Sequence, residues 1–332
     1  MGSRVNVAVR QGGDWTHCGS NGLGYSLGAY LALGPGPALA VVRSRSLPVW
    51  DRRQWQLEST CEGAALIDLD ARDLLFFLDL GYEQRLAVLE AYGRTWAGWT
   101  VRWAYNGLAD VTDALGVSRD VLQRDPWDGT DLFRWHRPGP DEELVLRQMI
   151  TVGEVAYGLD HHAVDPWEIG PALLDQIGDL PRVTTLPEMP RAGLHLDPVA
   201  RTAGVWSVAP VRNLTERFAG RWPGWTLEFW EDRYREHASR CAGVFEFPDP
   251  AVAVEESVHD LVENVLHHWL RAMPEFRQRW PAKEEADYDP YYGTRDAGLT
   301  IADLQRLCGA LLGPDRDPVD VAARARKELR IT

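Results

Sequence analysis

The sequence predicts an α+β fold of two pseudo-equivalent halves, each a mixed sheet with packed helices, followed by a helical C-terminal segment. Two observations carry this prediction. The stretch Trp96-Ala97-Gly98-Trp99-Thr100 is echoed by Trp222-Pro223-Gly224-Trp225-Thr226, and in both places an amphipathic pattern precedes it and an apolar strand pattern follows. Further matching blocks lie upstream at similar offsets. We therefore expect an internal duplication, with copies over 1–117 and 144–247.

The first half opens with strand patterns. Residues 5–9 alternate valine with Asn6 and Ala8, as in a strand, and residues 15–18 form a second short strand pattern after a Gly-Gly turn. A glycine-rich loop follows over 19–28, overlapping a predicted short helix over 26–33. The compact apolar run at 38–42 is interpreted as a further strand.

In the rest of the first half, the sequence predicts a hairpin and two helices. Apolar runs at 64–69 and 74–77 flank a polar turn, as in a β-hairpin. Apolar residues at steps of three and four predict an amphipathic helix over 82–96. Gly98 ends that helix, and a strand is expected over 99–105, then a second helix over 108–115.

The second half retraces the first after a connection at 118–143 that is rich in Asp, Pro and Trp. Its matches are Gly170-Pro171-Ala172-Leu173 with Gly36-Pro37-Ala38-Leu39, Asp197 and Arg201 with Asp68 and Arg72, and Trp206 with Phe77. The recurring Asp and Arg are expected to set turn geometry. From 248 to 332 the pattern becomes helical, with a capping-box-like start at Thr300 and Asp303.

Composition and charge limit the classes of protein to which this chain can belong. With 45% hydrophobic and 25% charged residues the chain should fold as a globule, and no apolar run approaches a membrane span. A formal charge of −14 argues against nucleic acid and suits a basic protein partner. The N-terminus lacks a signal-peptide pattern, and the four cysteines form no CxxC pair. We expect a cytoplasmic protein without a membrane partner.

No motif for catalysis or for a cofactor stands out. The glycine-rich loop departs from the dinucleotide fingerprint by one residue, so no cofactor is expected. Weak catalytic candidates are His17, Cys18, Asp160, His161 and His162, and weak metal candidates are His161, His195 and Asp197. The alternatives are a buried cysteine, surface histidines and turn-forming aspartates. Since three well-placed ligands are not evident, no metal is expected.

The fifteen tryptophans favour binding over catalysis. Trp96, Trp99, Trp222 and Trp225 are expected in the core, where a helix packs on a strand. Aromatic residues in polar, loop-like stretches suit a binding surface, namely Trp50, Trp55, Trp127, Trp135, Tyr288, Tyr291 and Tyr292. The leading hypothesis is a protein-binding module, for example an immunity or antitoxin-like protein that neutralises a basic partner. The alternative is an enzyme or a small-ligand-binding protein with its site in a cleft between the repeats.

Overall fold

A computed structural model describes residues 4–20, 24–43, 52, 54–122, 131, 146–160, 165–186, 188–241, 246–272 and 300–322. The chain divides into two compact units. The first comprises Met1–Asp79, Glu83–Arg124 and Ala251–Thr332, and the second comprises Leu80–Tyr82 and Asp125–Pro250. Each unit contains a five-stranded mixed sheet with helices, so the predicted α+β class is confirmed.

The sheet of the first unit has the order β2-β1-β3-β4-β5. Its strands are β1 (Arg4–Gln11), β2 (Asp14–Ser20), β3 (Cys61–Asp68), β4 (Asp73–Leu78) and β5 (Thr100–Trp103). The pairs β1/β2 and β3/β4 are antiparallel, while β1/β3 and β4/β5 are parallel. The expected hairpin over 64–77 is therefore present, and the strand expected over 99–105 is shorter.

The first helices are α1 (Gly24–Leu31), α2 (Pro35–Arg43), α3 (Tyr82–Thr95) and α4 (Leu108–Leu115). The prediction of a strand at 38–42 was wrong, because these residues lie in α2. Pro35 suits the first turn of a helix, where its fixed φ is already helical and no N–H donor is needed. The buried residues of α2 are Ala38, Val41 and Val42, spaced by three and four as on one helix face.

The second unit repeats the strand pattern of the first. Its strands are β6 (Leu146–Val152), β7 (Val155–Asp160), β8 (Ala192–Asp197), β9 (Thr202–Ser207) and β10 (Thr226–Phe229), in the order β7-β6-β8-β9-β10. The pairs β6/β7 and β8/β9 are antiparallel, while β6/β8 and β9/β10 are parallel. The two sheets thus share strand order and strand directions, which is consistent with two similar halves.

The helices of the second unit are short. A 3₁₀ helix (Pro166–Ala172) leads into α5 (Leu173–Gln176), and α6 (Leu214–Arg221) and α7 (Tyr234–Arg240) follow. Two further helices, α8 (Ala251–Ala272) and α9 (Ile301–Leu311), belong to the first unit. The expected capping box of Thr300 and Asp303 is present at the start of α9. Among the described residues, no helix is long and apolar enough to cross a membrane.

In each unit a tryptophan at the end of a helix is buried, as the repeated motif predicts, and donates a hydrogen bond to the backbone of another segment. Trp96 is 1% exposed and donates from Nε1 to the carbonyl oxygen of Leu31 at 2.7 Å. Trp222 is fully buried and donates in the same way to the carbonyl oxygen of Trp167 at 2.6 Å. Burial of so large a side chain with its N–H satisfied contributes strongly to the core.

The recurring aspartates shape the turns between β3 and β4 and between β8 and β9. Oδ1 of Asp68 accepts from the backbone N–H groups of Asp70 and Ala71. Oδ1 of Asp197 accepts from those of Val199 and Ala200, both at 2.9 Å. The turn role expected for these two residues is confirmed, and it is the side-chain-to-backbone bonding that favours Asp in turns.

Candidate functional site

His17 and Cys18 lie on β2 within the packed interior of the first unit. The His17 side chain is 1% exposed, donates from Nε2 to Oδ1 of Asn6 at 3.0 Å, and stacks on Trp55 with ring centroids 4.3 Å apart. Trp55, expected at a binding surface, is itself 2% exposed. Burial raises the pKa of the Cys18 thiol, which disfavours the reactive thiolate. The structure therefore places these three side chains against each other or in the core, away from solvent.

Several other predicted site residues lie outside the described part of the chain. They are His161, His162, Trp50, Trp127, Trp135, Tyr288, Tyr291 and Tyr292. Asp160, at the end of β7 in the second unit, is described and is buried. The weak metal candidates His195 and Asp197 have different roles, because the Asp197 carboxylate bonds to its own turn while His195 joins a buried polar cluster.

This polar cluster, in the second unit, consists of Thr151, His195, Trp206, His237 and Cys241. The hydroxyl Oγ1 of Thr151 lies at its centre, 2.8 Å from Nδ1 of His195, 2.7 Å from Nε2 of His237 and 3.3 Å from Sγ of Cys241. Nε1 of Trp206 donates to Nδ1 of His237 at 2.9 Å. All five side chains are buried; His195 is the most exposed at 7%.

The Trp206 bond sets the direction of every hydrogen bond in the cluster. Indole N–H is a donor only, so Nδ1 of His237 must accept and its proton sits on Nε2. That proton is donated to Oγ1 of Thr151, which also accepts from the Cys241 thiol. The hydroxyl then donates its own proton to Nδ1 of His195. Each of these bonds has one donor and one acceptor when both histidines are neutral.

Burial keeps the cluster neutral. Desolvation lowers the pKa of His237 to about 3, with repulsion from His195 as a second cause. Desolvation also lowers the pKa of His195, assisted by the nearby Arg240. It raises the pKa of the Cys241 thiol, although the bond to Thr151 opposes this. At neutral pH the cluster therefore holds two neutral imidazoles and a thiol.

Three secondary-structure elements position the cluster. Thr151 and His195 face each other in the register of the parallel pair β6/β8. His237 on α7 and Cys241 directly after it are four residues apart, so they lie on one helix face. Gly193 on β8 leaves the room, since a Cβ there would lie 2.3 Å from Nε1 of Trp206 and 2.5 Å from Nδ1 of His237. The register of β6 and β8 and the absence of a side chain at Gly193 together allow the five side chains to lie in contact.

The sequence predicted one member of this cluster as a metal candidate and missed its partners. Thr151, His237 and Cys241 carried no recognised motif, and Trp206 was noted only as the counterpart of Phe77. A usable signal was the four-residue spacing of His237 and Cys241 on a helix. A second was the comparison with the first half, where the corresponding positions are apolar.

A second polar feature of this unit is a pair of carboxylates beside a small pocket. Asp165 lines a pocket of about 20 Å³ together with Gln148 and Ser207, enough for about one water molecule. Burial raises the pKa of Asp165. The buried Oε1 of Gln148 has no hydrogen-bond partner among the described residues. The pocket is otherwise lined mainly by apolar residues, and its few polar groups fit one water molecule.

Glu168, three residues further on, is buried and paired. Its two carboxylate oxygens accept from the guanidinium of Arg217 at 2.6 and 2.7 Å, and Arg221 lies 3.6 Å away. Desolvation nevertheless raises the pKa of Glu168 to about 7, because the loss of solvent outweighs the attraction of Arg217 and Asp165 adds repulsion. A carboxyl that titrates near neutral pH is a feature of functional sites as well as of buried ion pairs.

This shift predicts how stability depends on pH. Because the folded state binds a proton that the unfolded state has lost between pH 4.5 and 7, Glu168 should reduce the free energy of unfolding as pH rises through that range. The full effect is at most about 3 kcal/mol. The quantity to measure is the stability of the wild type minus that of Glu168→Gln, by urea denaturation at each pH, since His237 contributes the opposite slope.

The control for this prediction is Glu216→Gln, which changes an exposed carboxylate on the same helix as Arg217. We expect the difference between the wild type and that variant to stay constant with pH. A wild-type advantage over Glu168→Gln that grew from pH 5 to pH 7 would contradict the predicted proton uptake.

Comparison with protein-family models, with curated proteins and with solved structures finds no match to this chain.

Proposed function

We propose that the protein is a protein-binding module that neutralises a basic partner, as an immunity or antitoxin-like protein does. The excess of acidic residues carries this proposal: 49 Asp and Glu against 35 Lys and Arg give a formal charge of −14. A surface of this sign accelerates encounter with a basic protein and disfavours acidic ones, nucleic acids among them. Trp55 is buried and is not an anchor for a partner. The other loop aromatics lie outside the described residues, and their role as anchors of such an interface stays a prediction from the sequence.

The burial of the reactive side chains supports binding over catalysis. His17, His195 and His237 are 1%, 7% and 0% exposed, and Cys18 and Cys241 are buried at 4% and 1%. A catalytic histidine or cysteine must reach its substrate within hydrogen-bond distance. Here these groups contact one another or neighbouring core residues instead. Four cysteines that are free thiols also support a cytoplasmic location, where disulfides are rare.

We also infer that the two units descend from an internal duplication, because they share local details that sheet topology does not require. Arg72 and Arg201 both have a left-handed backbone, with φ of 53° and 54°. The carbonyl oxygen of each accepts from the backbone N–H of the first residue of β5 or β10, Thr100 or Thr226, at 2.9 Å in both cases. Such a conformation is uncommon outside glycine, so its recurrence at the same turn supports common origin.

A second function, small-ligand binding or catalysis, is supported by two buried carboxyl groups of the second unit, Asp165 and Glu168. Asp165 and Glu168 have raised pKa values for the same reason, burial, and Asp165 lies at the pocket wall. A raised pKa lets a carboxyl keep its proton to higher pH, which a general acid requires. This candidate requires that a ligand enter the pocket and contact Asp165.

The two functions are separated by binding measurements on the full chain. The probes are a panel of purified basic proteins and acidic proteins of matched size, tested by biolayer interferometry at low and high salt. Asp287 and Asp289 flank Tyr288 in the sequence, within the stretch that holds three of the predicted binding tyrosines. We expect saturable binding to a basic member, weakened at least about tenfold when both aspartates are replaced by Lys. Charge reversal at Glu154, in the exposed turn between β6 and β7, is the matched control and should change affinity less.

Equal binding to acidic and basic members, or an affinity unchanged by the Asp287 and Asp289 reversals, would overturn the protein-binding proposal in this form. A small molecule whose binding is lost in Asp165→Asn, with Glu154→Lys unaffected, would instead support the second function.

A further inference from the structure

We propose that the polar cluster of the second unit is a binding site for one transition-metal ion of the Zn²⁺ type. His195, His237 and Cys241 each offer one ligand atom, and these three atoms lie within 4.8 Å of one another. Two imidazoles and a thiolate are donors that zinc and its neighbours in the transition series bind in proteins. The site is distinct from the acidic surface to which the proposed partner would bind.

The spacing of the donors is close to what one ion needs. A tetrahedral zinc ion with bonds of about 2.0–2.3 Å holds its ligand atoms roughly 3.3–3.6 Å apart. Sγ of Cys241 and Nδ1 of His195 are already 3.7 Å apart. Oγ1 of Thr151 lies at the centre of these donors, 2.8 and 2.7 Å from the two ring nitrogens, and must move aside for an ion to take that position. The ion would then have three protein ligands, with the fourth position left to water.

The first unit shows that this fold does not need polar groups at these positions. Ala8 and Leu66 are paired across β1 and β3 as Thr151 and His195 are across β6 and β8. Counted from the matched strand starts Thr100 and Thr226, the counterparts of His237 and Cys241 are Val111 and Leu115. All four first-unit residues are buried.

A buried polar network is often no more stable than an apolar core of similar volume, and one partly satisfied is less stable. The same architecture thus has an apolar solution, yet the second unit gathers three metal-binding side chains in one place. Binding of a metal ion gives a reason for these three side chains to lie together, whereas core packing alone gives none.

Metal binding requires two proton movements. The Cys241 thiol loses its proton to solvent and becomes the thiolate ligand. The proton of His237 moves from Nε2, which then binds the ion, to Nδ1. The Trp206 N–H, which now donates to Nδ1 at 2.9 Å, must then turn away, because two donors would face each other. Trp206 therefore weakens metal binding, and its removal should strengthen it.

The short helix α7 provides access to the buried cluster. It has only seven residues, and it carries His237 and leads into Cys241. A helix of this length is held by its packing rather than by its own propensity. We infer that an ion enters when this packing is lost locally. Opening of α7 exposes two of the three donors at once.

The test uses the full chain, stripped of metal with a chelator, and Co²⁺ as a spectroscopic probe alongside Zn²⁺. We expect one ion bound per chain and a thiolate-to-cobalt charge-transfer absorption. Replacing Cys18, Cys61 and Cys308 together by Ser leaves Cys241 as the single cysteine and should preserve the absorption. Cys241→Ser should abolish it, while the matched control Cys18→Ser should not.

Trp206→Phe supplies an independent measurement, since phenylalanine stands at the corresponding position of the first unit, Phe77. We expect this variant to bind Zn²⁺ about tenfold more tightly, by competition against a chromophoric chelator. Absence of the charge-transfer absorption in the wild type with Co²⁺ in excess, or its loss in the folded single-cysteine variant, overturns the proposal. Unchanged or weaker affinity in Trp206→Phe overturns the assignment of Nε2 of His237 as a ligand.

Discussion

Replacing Gly170 by alanine is expected to lower the free energy of unfolding of the second unit by about 3–5 kcal/mol. Gly170 has φ of 75° and ψ of −162°, a region that is essentially restricted to glycine. A Cβ at this position would also lie 2.4 Å from the carbonyl oxygen of Arg221, a backbone atom at the end of α6. The strain and the steric clash act together, and neither is relieved by rotating a side chain.

The measurement is urea denaturation followed by tryptophan fluorescence. Gly178→Ala is the matched control, because Gly178 lies nearby in the same unit, lacks a positive φ and has no atom within 4 Å of the position that a Cβ would take. We expect that control to change stability by less than about 1 kcal/mol. A Gly170→Ala protein as stable as the Gly178→Ala protein would show that the chain bends at Gly170 without needing glycine.

The first unit offers the same test at Gly34, which lies between α1 and α2. Gly34 has φ of 85°, and a Cβ there would lie 2.6 Å from the carbonyl oxygen of Thr95, at the end of α3. In each unit a glycine therefore meets the last turn of the helix that precedes the tryptophan motif. The sequence comparison paired Gly170 with Gly36, whereas the structure makes Gly34 its counterpart, because Gly34 and Gly170 make the same close approach to a carbonyl oxygen and Gly36 does not. That approach is visible only in three dimensions.

The sequence predicted those parts of the fold whose pattern is local. The stripe that begins at Tyr82 identified α3, because it marks the buried face of that helix. The pattern of residues 5–9 identified β1, although this strand is buried on both faces. The short apolar run at 38–42 was assigned wrongly, since periodicity does not separate a short buried helix from a strand. There Pro35 and Pro37 were the stronger signal, because proline suits the first helical turn.

The candidate site was harder to predict, because its residues meet only through the fold. Thr151 and Cys241 are 90 residues apart in sequence and His237 lies 86 residues from Thr151. No short motif joins them, and the parallel register of β6 and β8 decides that Thr151 faces His195. By contrast, the turn role of Asp68 and Asp197 was predictable, since those bonds reach only two or three residues along the chain.

Truncating Trp222 to alanine is expected to lower the free energy of unfolding by about 3–5 kcal/mol, the range for a buried tryptophan. Trp222 is fully buried, stacks with Phe218 at a centroid distance of 5.9 Å and packs edge-on against Trp225 at 4.8 Å. Its loss leaves a large cavity in the core of the second unit. Trp225→Ala, at the half-buried neighbour, is the control and should cost clearly less.

The more discriminating variant is Trp222→Phe, which keeps an aromatic ring but removes the N–H. The carbonyl oxygen of Trp167 then loses its donor at 2.6 Å inside the core, which should cost about 1–3 kcal/mol. Trp96→Phe removes the equivalent bond to Leu31 in the first unit. If the two units arose by duplication and both depend on this tryptophan hydrogen bond, the two variants should lose a similar free energy of unfolding. A loss confined to one unit would mean that only that unit depends on the tryptophan hydrogen bond, and shape alone would hold the other helix in place.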